Sequence, residues 1–153
     1  MSKQQLQLVL KKNMGNGTHP MIQDRPVVLE FGSYTCPIFC AHIGPMEVGA
    51  QHHPEAVFLV IYIREAHPGE AVTEHRTVDD KRRAALRRRA DEPLRRTVLL
   101  DDLGGTVHRA YGQAWDSAYV IDHNGIVILH QAWTNALRRG GGVEYRAPGA
   151  PGS

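Results

Sequence analysis

The chain has 153 residues, 42% hydrophobic and 22% charged, enough for one compact domain with its own core and too short for two of ordinary size. A formal net charge of +2 gives no global electrostatic case for nucleic acid or a membrane surface as the main partner. There is no window of about eighteen apolar residues, and the apolar stretch in "MSKQQLQLVLKKN" is too short for a secretory signal, so a cytoplasmic chain is expected.

Residues 1–12 suit a short helix that "NMGNGTHP" breaks. "PVVLEF" at 26–31 is the first strand, ending at Gly32. Residues 37–51 suit a helix with Pro37 in its first turn, where the missing N–H needs no partner, and Gly44-Pro45 predicts a kink. "AVFLVIYI" at 56–63 is continuously apolar, as in a strand covered on both faces. Residues 79–90 predict a basic helix, "TVLL" at 97–100 a strand, and "GGTVHRAYG" a helix starting near Gly105. "AYVID" and "IVILH" flank His123-Asn124-Gly125, whose Asn-Gly pair signals a tight hairpin. "WTNALRR" is a weak closing helix, and the Gly/Pro-rich "RRGGGVEYRAPGAPGS" is expected to be disordered. The organisation is therefore a lead-in over 1–24, one domain over 25–139 and a tail over 140–153. "KRRAALRRRA" at 81–90 holds six of the 18 basic residues and reads as a solvated helix face.

Both cysteines lie in "FGSYTCPIFC", spaced C-x-x-x-C, directly after the first strand. In a reducing compartment two thiols are more readily redox or metal groups than a staple. A βαβ unit followed by a helix and a ββ hairpin is the thioredoxin-like arrangement, an α/β fold with a mixed sheet flanked by helices. There the loop after the first strand delivers a cysteine, here Cys36, to a helix N-terminus whose open N–H groups favour the thiolate. Cys40 lies one turn further on. Residues at i and i+4 have Cβ atoms about 5–6 Å apart against about 3.5–4.5 Å for a disulfide, so a Cys36–Cys40 bond is expected to be strained and easily reduced. The plainer reading of Cys40 is a small buried hydrophobe.

"RPVVLEFGSYTCPIF", "VIYIREAHPGE", "EHRTVDDKRRAA" and "AYGQAWDSAYVIDHNGIV" resemble, in order and spacing, the iodothyronine deiodinases and their bacterial deiodinase-like relatives, over about residues 25–130. In that family the position of Cys36 is commonly selenocysteine, the nucleophile that attacks iodine on an aromatic ring. With the less polarisable and less acidic cysteine, the resemblance implies slower dehalogenation. It further implies that Ser33 and Thr35 are active-site hydroxyls placed to hydrogen-bond the thiolate and hold a proton. Tyr62, Glu65 and His67 match the motif's tyrosine, glutamate and histidine, with His67 as proton donor or relay tuned by Glu65. His75 matches a substrate-binding histidine, and Tyr34 in the cysteine loop joins the same set.

At the substrate position where the vertebrate enzymes have an arginine before the "LYVI" strand, this chain has Ser117, which cannot make a bidentate carboxylate contact. Cys40 meanwhile supplies a resolving thiol within the same helix. The implied function is thiol-dependent reductive dehalogenation of iodinated phenols. The implied partners are a small-molecule substrate and an external thiol reductant such as a thioredoxin or glutathione system, and a homodimer is compatible with the sequence. No resident cofactor or metal is expected, since "LGGT" is too short for a phosphate loop.

Two other readings share the motif. Copper-delivery proteins of the thioredoxin-like class also carry "TCP" and C-x-x-x-C, with a later histidine as third ligand; "YGQAWDS" has none there, leaving His108 and His123 as substitutes. Thiol peroxidases pair a helix-start cysteine with a threonine three residues earlier, where Ser33 stands, and with an arginine, for which Arg109 is the candidate. "QHHPE" at 51–55 reads as a surface turn.

Overall fold

The structure is a computed structural model and describes residues 24–133. The expected helix over 1–12, the closing helix from residue 134 on and the Gly/Pro-rich tail lie outside the described residues. Among the described residues the elements run β1 Val27–Gly32, α1 Pro37–His52, β2 Val57–Tyr62, α2 Val78–Asp91, β3 Thr97–Leu100, α3 Thr106–Ala110, β4 Ala118–Ile121 and β5 Val127–Gln131. The strands form one sheet in the order β3-β2-β1-β4-β5. β1, β2 and β3 are parallel, and the β4–β5 hairpin adds antiparallel to β1. This is the thioredoxin-like α/β fold that the order of elements predicts.

β1, β2 and β4 are buried at every position, which is why they read as continuous apolar runs. On one face Val28, Phe58, Val60 and Val120 pack beneath Phe39, Ile43 and Met46 of α1. Ala84 and Ala85 of α2 extend that layer over Tyr62. On the other face Leu29, Phe31, Leu59 and Ile61 meet Val107 and Tyr111.

Local chemistry explains the boundaries. Pro37 opens α1, and the helix continues through Pro45 to His52; the carbonyl that Pro45 leaves without an N–H belongs to Ala41, which is exposed to water. Thr77 and Asp80 form a reciprocal capping box at the start of α2, the Thr77 hydroxyl accepting from the Asp80 N–H at 3.1 Å and the Asp80 carboxylate from the Thr77 N–H at 2.8 Å. The hairpin closes through Asp122 and Ile126, and only Gly125 of the connection takes a positive φ, 84°, so the turn is wider than a two-residue Asn-Gly loop.

The parallel register pairs Gly32 with Tyr62, so the loops after β1 and β2 leave the sheet side by side at its C-terminal edge. Gly32 is required there: a Cβ would lie 2.2 Å from the Phe39 ring.

Candidate active site

Cys36 is the N-cap of α1; its N–H reaches the Ser33 carbonyl at 3.3 Å and its carbonyl accepts from the Cys40 N–H at 3.1 Å. The sulfur's surroundings differ from the expected thiolate-favouring helix start. Cys36 is 3% exposed, and burial pushes its thiol above the ordinary value. The Phe39 amide pulls the other way, the Asp116 charge adds to the rise, and the Ile38 amide and Glu30 act more weakly. Desolvation outweighs the helix N-terminus because a thiolate this deep loses most of its hydration.

The centre of the site is Glu65, 5% exposed in the loop after β2. Its Oε2 accepts from the Thr35 N–H at 2.8 Å and the Thr35 hydroxyl at 2.6 Å. Its Oε1 accepts from the Tyr62 hydroxyl at 2.5 Å and lies 3.1 Å from His75 Nε2. Tyr62 in turn accepts from the Tyr34 N–H at 3.0 Å, tying the two loops together. A buried carboxylate needs such donors to offset lost hydration; three hydrogen bonds converge on this one, and the His75 ring nitrogen lies close beside them. Burial holds His75 below the ordinary histidine value, with Glu65 opposing, and burial together with Glu65 drives the Tyr62 phenol far above its own.

This geometry redistributes several expected roles. The Ser33 hydroxyl accepts from the Ala66 N–H at 3.2 Å, and the Thr35 hydroxyl donates to Glu65 and accepts from the His67 N–H at 3.0 Å, so at rest the Thr35 hydrogen points to Glu65 and not to the sulfur. Glu65 is paired with His75 rather than His67, whose side chain is exposed at the rim. Ser117, expected at the substrate, is 1% exposed, its hydroxyl turned to the Ala114 carbonyl at 3.5 Å.

Cys40 is half-buried, and both thiols are free. Cys40 Sγ lies 3.3 Å from the Tyr34 carbonyl, which accepts from it, and 3.2 Å from Arg88 Nη1, which donates to it. The Arg88 guanidinium lies 4.2 Å from the centroid of the Tyr34 ring, and Arg87 5.1 Å, while the Tyr34 hydroxyl donates to Asp91 at 2.5 Å. The sequence reading missed Arg88 inside the basic run. Its signal was spacing: Lys81, Ala84, Ala85 and Arg88 recur at helical period and form the buried stripe of α2. The exposed arginines of the run pair within the helix, Arg82 with Asp79 at 3.0 Å and Arg87 with Asp91 at 3.9 Å, as a solvated face would.

Two further buried charges were missed. Asp116, wholly buried, lies 3.8 Å from His42 Nδ1. Arg96 bridges Glu30 at 2.5 Å and Glu47 at 2.8 Å beneath α1. The substitutes weighed for the rival readings are engaged elsewhere: His108 is buried with Nε2 3.0 Å from the Ala114 carbonyl, and the exposed Arg109 extends alongside Gly104. Among the described residues no group of three His, Cys, Asp or Glu side chains is placed to hold a metal ion.

The comparisons agree with this architecture. A thiol-disulfide oxidoreductase from Bacteroides fragilis superposes with a TM-score of 0.55 at 10% identity, over 76% of this chain and 78% of that one. The exposed lipoprotein thioredoxin Etrx1 of Streptococcus pneumoniae gives 0.53 at 19% identity, over 72% and 76%. The fold is thioredoxin-like. The profile of iodothyronine deiodinase matches residues 15–133, and the chain belongs to that family of oxidoreductases. Thyroxine 5-deiodinase of Sparus aurata is 31% identical over 113 residues, 67% of this chain and 42% of that protein. The Sus scrofa enzyme is 32% identical over 116 residues, 68% and 37%. The chain thus spans about two fifths of the length of the curated relatives it matches. The match begins at residue 15, inside the expected lead-in. Among the described residues no helix is long and apolar enough to cross a membrane.

Proposed function

We propose that this chain is a thiol-dependent oxidoreductase that reductively dehalogenates iodinated phenols, with Cys36 as nucleophile. The observation that carries the reading is the Thr35–Glu65–His75 network, with Tyr62 joined to it, built directly against the turn that holds Cys36. Family and fold support thiol-dependent redox chemistry, and the network adds a means of delivering a proton.

In the proposed cycle the Cys36 thiolate attacks iodine on the ring. An S–I bond forms, the C–I bond breaks, and its electron pair stays on the ring carbon, which takes a proton from the Thr35 hydroxyl. Glu65 takes a proton from His75 Nε2–H and hands it to the Thr35 oxygen, and His75 recovers one from solvent. The Cys40 thiolate then attacks Cys36 sulfur, forming the disulfide and expelling iodide. Two equivalents of external thiol restore both cysteines and leave as a disulfide. Tyr62 keeps its proton, because its phenol is held far above the ordinary value, and serves to fix Glu65. His75 takes the relay role first expected of His67, and His67 at the rim is assigned to the substrate's phenol. The chemistry needs reduced thiols at rest, which suits the cytoplasm.

The test is iodide release from thyroxine and from a smaller iodophenol by reduced protein with a dithiol donor, wild type against Cys36→Ala. Release that disappears in the variant is the expected result, with the smaller phenol preferred because Ser117 replaces the clamping arginine. No release from either substrate sinks the proposal and directs the search to peroxide as the electrophile.

A further inference from the structure

The two cysteines differ in exposure, in the order opposite to that of a helix-start nucleophile. Cys36 is 3% exposed and packed with Phe39, Ile43 and Leu94, whereas Cys40, one turn deeper in sequence, is only half-buried. Its sulfur is held between the Tyr34 carbonyl at 3.3 Å and the Arg88 guanidinium at 3.2 Å.

Arg88 is itself unusual. It is 7% exposed, its Nη1 lies 3.5 Å from Glu92, and its face rests on Tyr34, yet its Nε has no hydrogen-bond partner. A buried guanidinium N–H without an acceptor is costly unless a bound group supplies one. Burial holds the Cys40 thiol above its ordinary value; Arg88 opposes that rise, and Cys36, Glu92 and Glu65 add to it more weakly. The cation therefore serves the second cysteine of the motif.

We propose that Cys40, not Cys36, is the sulfur through which a small external thiol exchanges with this protein, and that Arg88 is the positioning residue that receives the Cys40 thiolate. The inference rests on the preceding reading only in taking a Cys36–Cys40 disulfide as the oxidised form. The reductant's thiolate attacks Cys40 Sγ. A mixed disulfide forms there, the bond to Cys36 breaks, and the electron pair goes to Cys36 sulfur, which takes a proton from solvent. A second thiolate attacks the reductant's sulfur in the mixed disulfide and releases Cys40 as a thiolate beside Arg88. Two small thiols are oxidised to one disulfide, and one protein disulfide is reduced to two thiols.

The experiment runs the exchange in reverse, where no halogenated substrate is needed. Reduced full-length protein is mixed with glutathione disulfide at neutral pH, quenched with acid at intervals, and the modified cysteine identified by peptide mass spectrometry. The first adduct is expected on Cys40 in the wild type. Cys36→Ser should keep the initial rate, and Cys40→Ser should lose about tenfold or more. Arg88→Gln should slow the Cys40 adduct about fivefold and move its pH profile upward, with Arg88→Lys recovering part of the rate. A first adduct on Cys36 overturns the proposal, and an unchanged rate in Arg88→Gln removes Arg88 from it. If the Cys40 adduct forms but no intramolecular disulfide ever follows, the resolving step of the dehalogenation cycle fails while exchange at Cys40 stands.

Discussion

Glu65, in the loop after β2, and Glu30, on β1, are both buried carboxylates, and the molecule accommodates them in opposite ways. Glu65 accepts from hydroxyls that can reorient, those of Thr35 and Tyr62, with the His75 imidazole nitrogen 3.1 Å away. Glu30 is answered by Arg96, which cannot be deprotonated, and its second oxygen, Oε1, has no partner. Burial still lifts the Glu30 carboxyl above the ordinary range despite Arg96, which lowers it. Hydrogen-bond compensation leaves a group able to take part in proton traffic, and charge compensation leaves one locked in place. The first sits at the C-terminal edge of the sheet beside Cys36, the second beneath α1.

The largest effect is expected from breaking the locked cluster. Arg96→Ala leaves Glu30 and Glu47 buried without their cation and should cost about 3–5 kcal/mol, read from the urea midpoint at constant m. A loss below about 1 kcal/mol would mean that water reaches the cluster, through the cavity of about 380 Å³ that Arg96 helps to line, and would end its description as locked.

Glu65→Gln should separate the two kinds of compensation. The amide keeps the shape but offers one acceptor oxygen where three donors converge on two, at a stability cost of about 1–3 kcal/mol. Turnover should fall about 100-fold or more in protein that remains folded, because the relay is interrupted. Iodide release per folded molecule, with folding followed by circular dichroism, decides it. If release tracks only the folded fraction, Glu65 is structural, like Glu30.

What the sequence made legible follows the same division. β2 was readable because both its faces are covered, so its apolar run needs no partner to be recognised. Cys36 at the start of α1 was readable because strand, loop and Pro37 are local. Thr35, Tyr62, Glu65 and His75 were named only through the family resemblance, and how they pair was not readable, because His75 joins from a separate irregular segment and Thr35 meets Glu65 only through the register that pairs Gly32 with Tyr62. His67 lies two residues from Glu65, but proximity in an irregular loop does not say which way a ring turns. Arg88 was within reach, since its spacing from Ala84 and Ala85 marks it as inward-facing, but a charge run averages that signal away. The raised pKa of Cys36 was out of reach, because it depends on burial and on Asp116, distant in sequence.

Asp116 provides the smallest and most discriminating change. Because Cys36 lies above its ordinary value, its thiolate fraction and its alkylation rate should go on climbing as pH rises past that of an ordinary thiol. Removing a nearby negative charge favours the thiolate, so Asp116→Asn should shift that profile to lower pH and speed iodoacetamide modification of Cys36 about threefold at pH 8, measured in a Cys40→Ser background. Glu30→Gln should move the profile less, because Arg96 already opposes the Glu30 charge. The reverse order would show that Glu30 acts on Cys36 as an uncompensated charge. The Arg96 cluster would then belong electrostatically to the active site, and the separation between a locked carboxylate and a working one would fail.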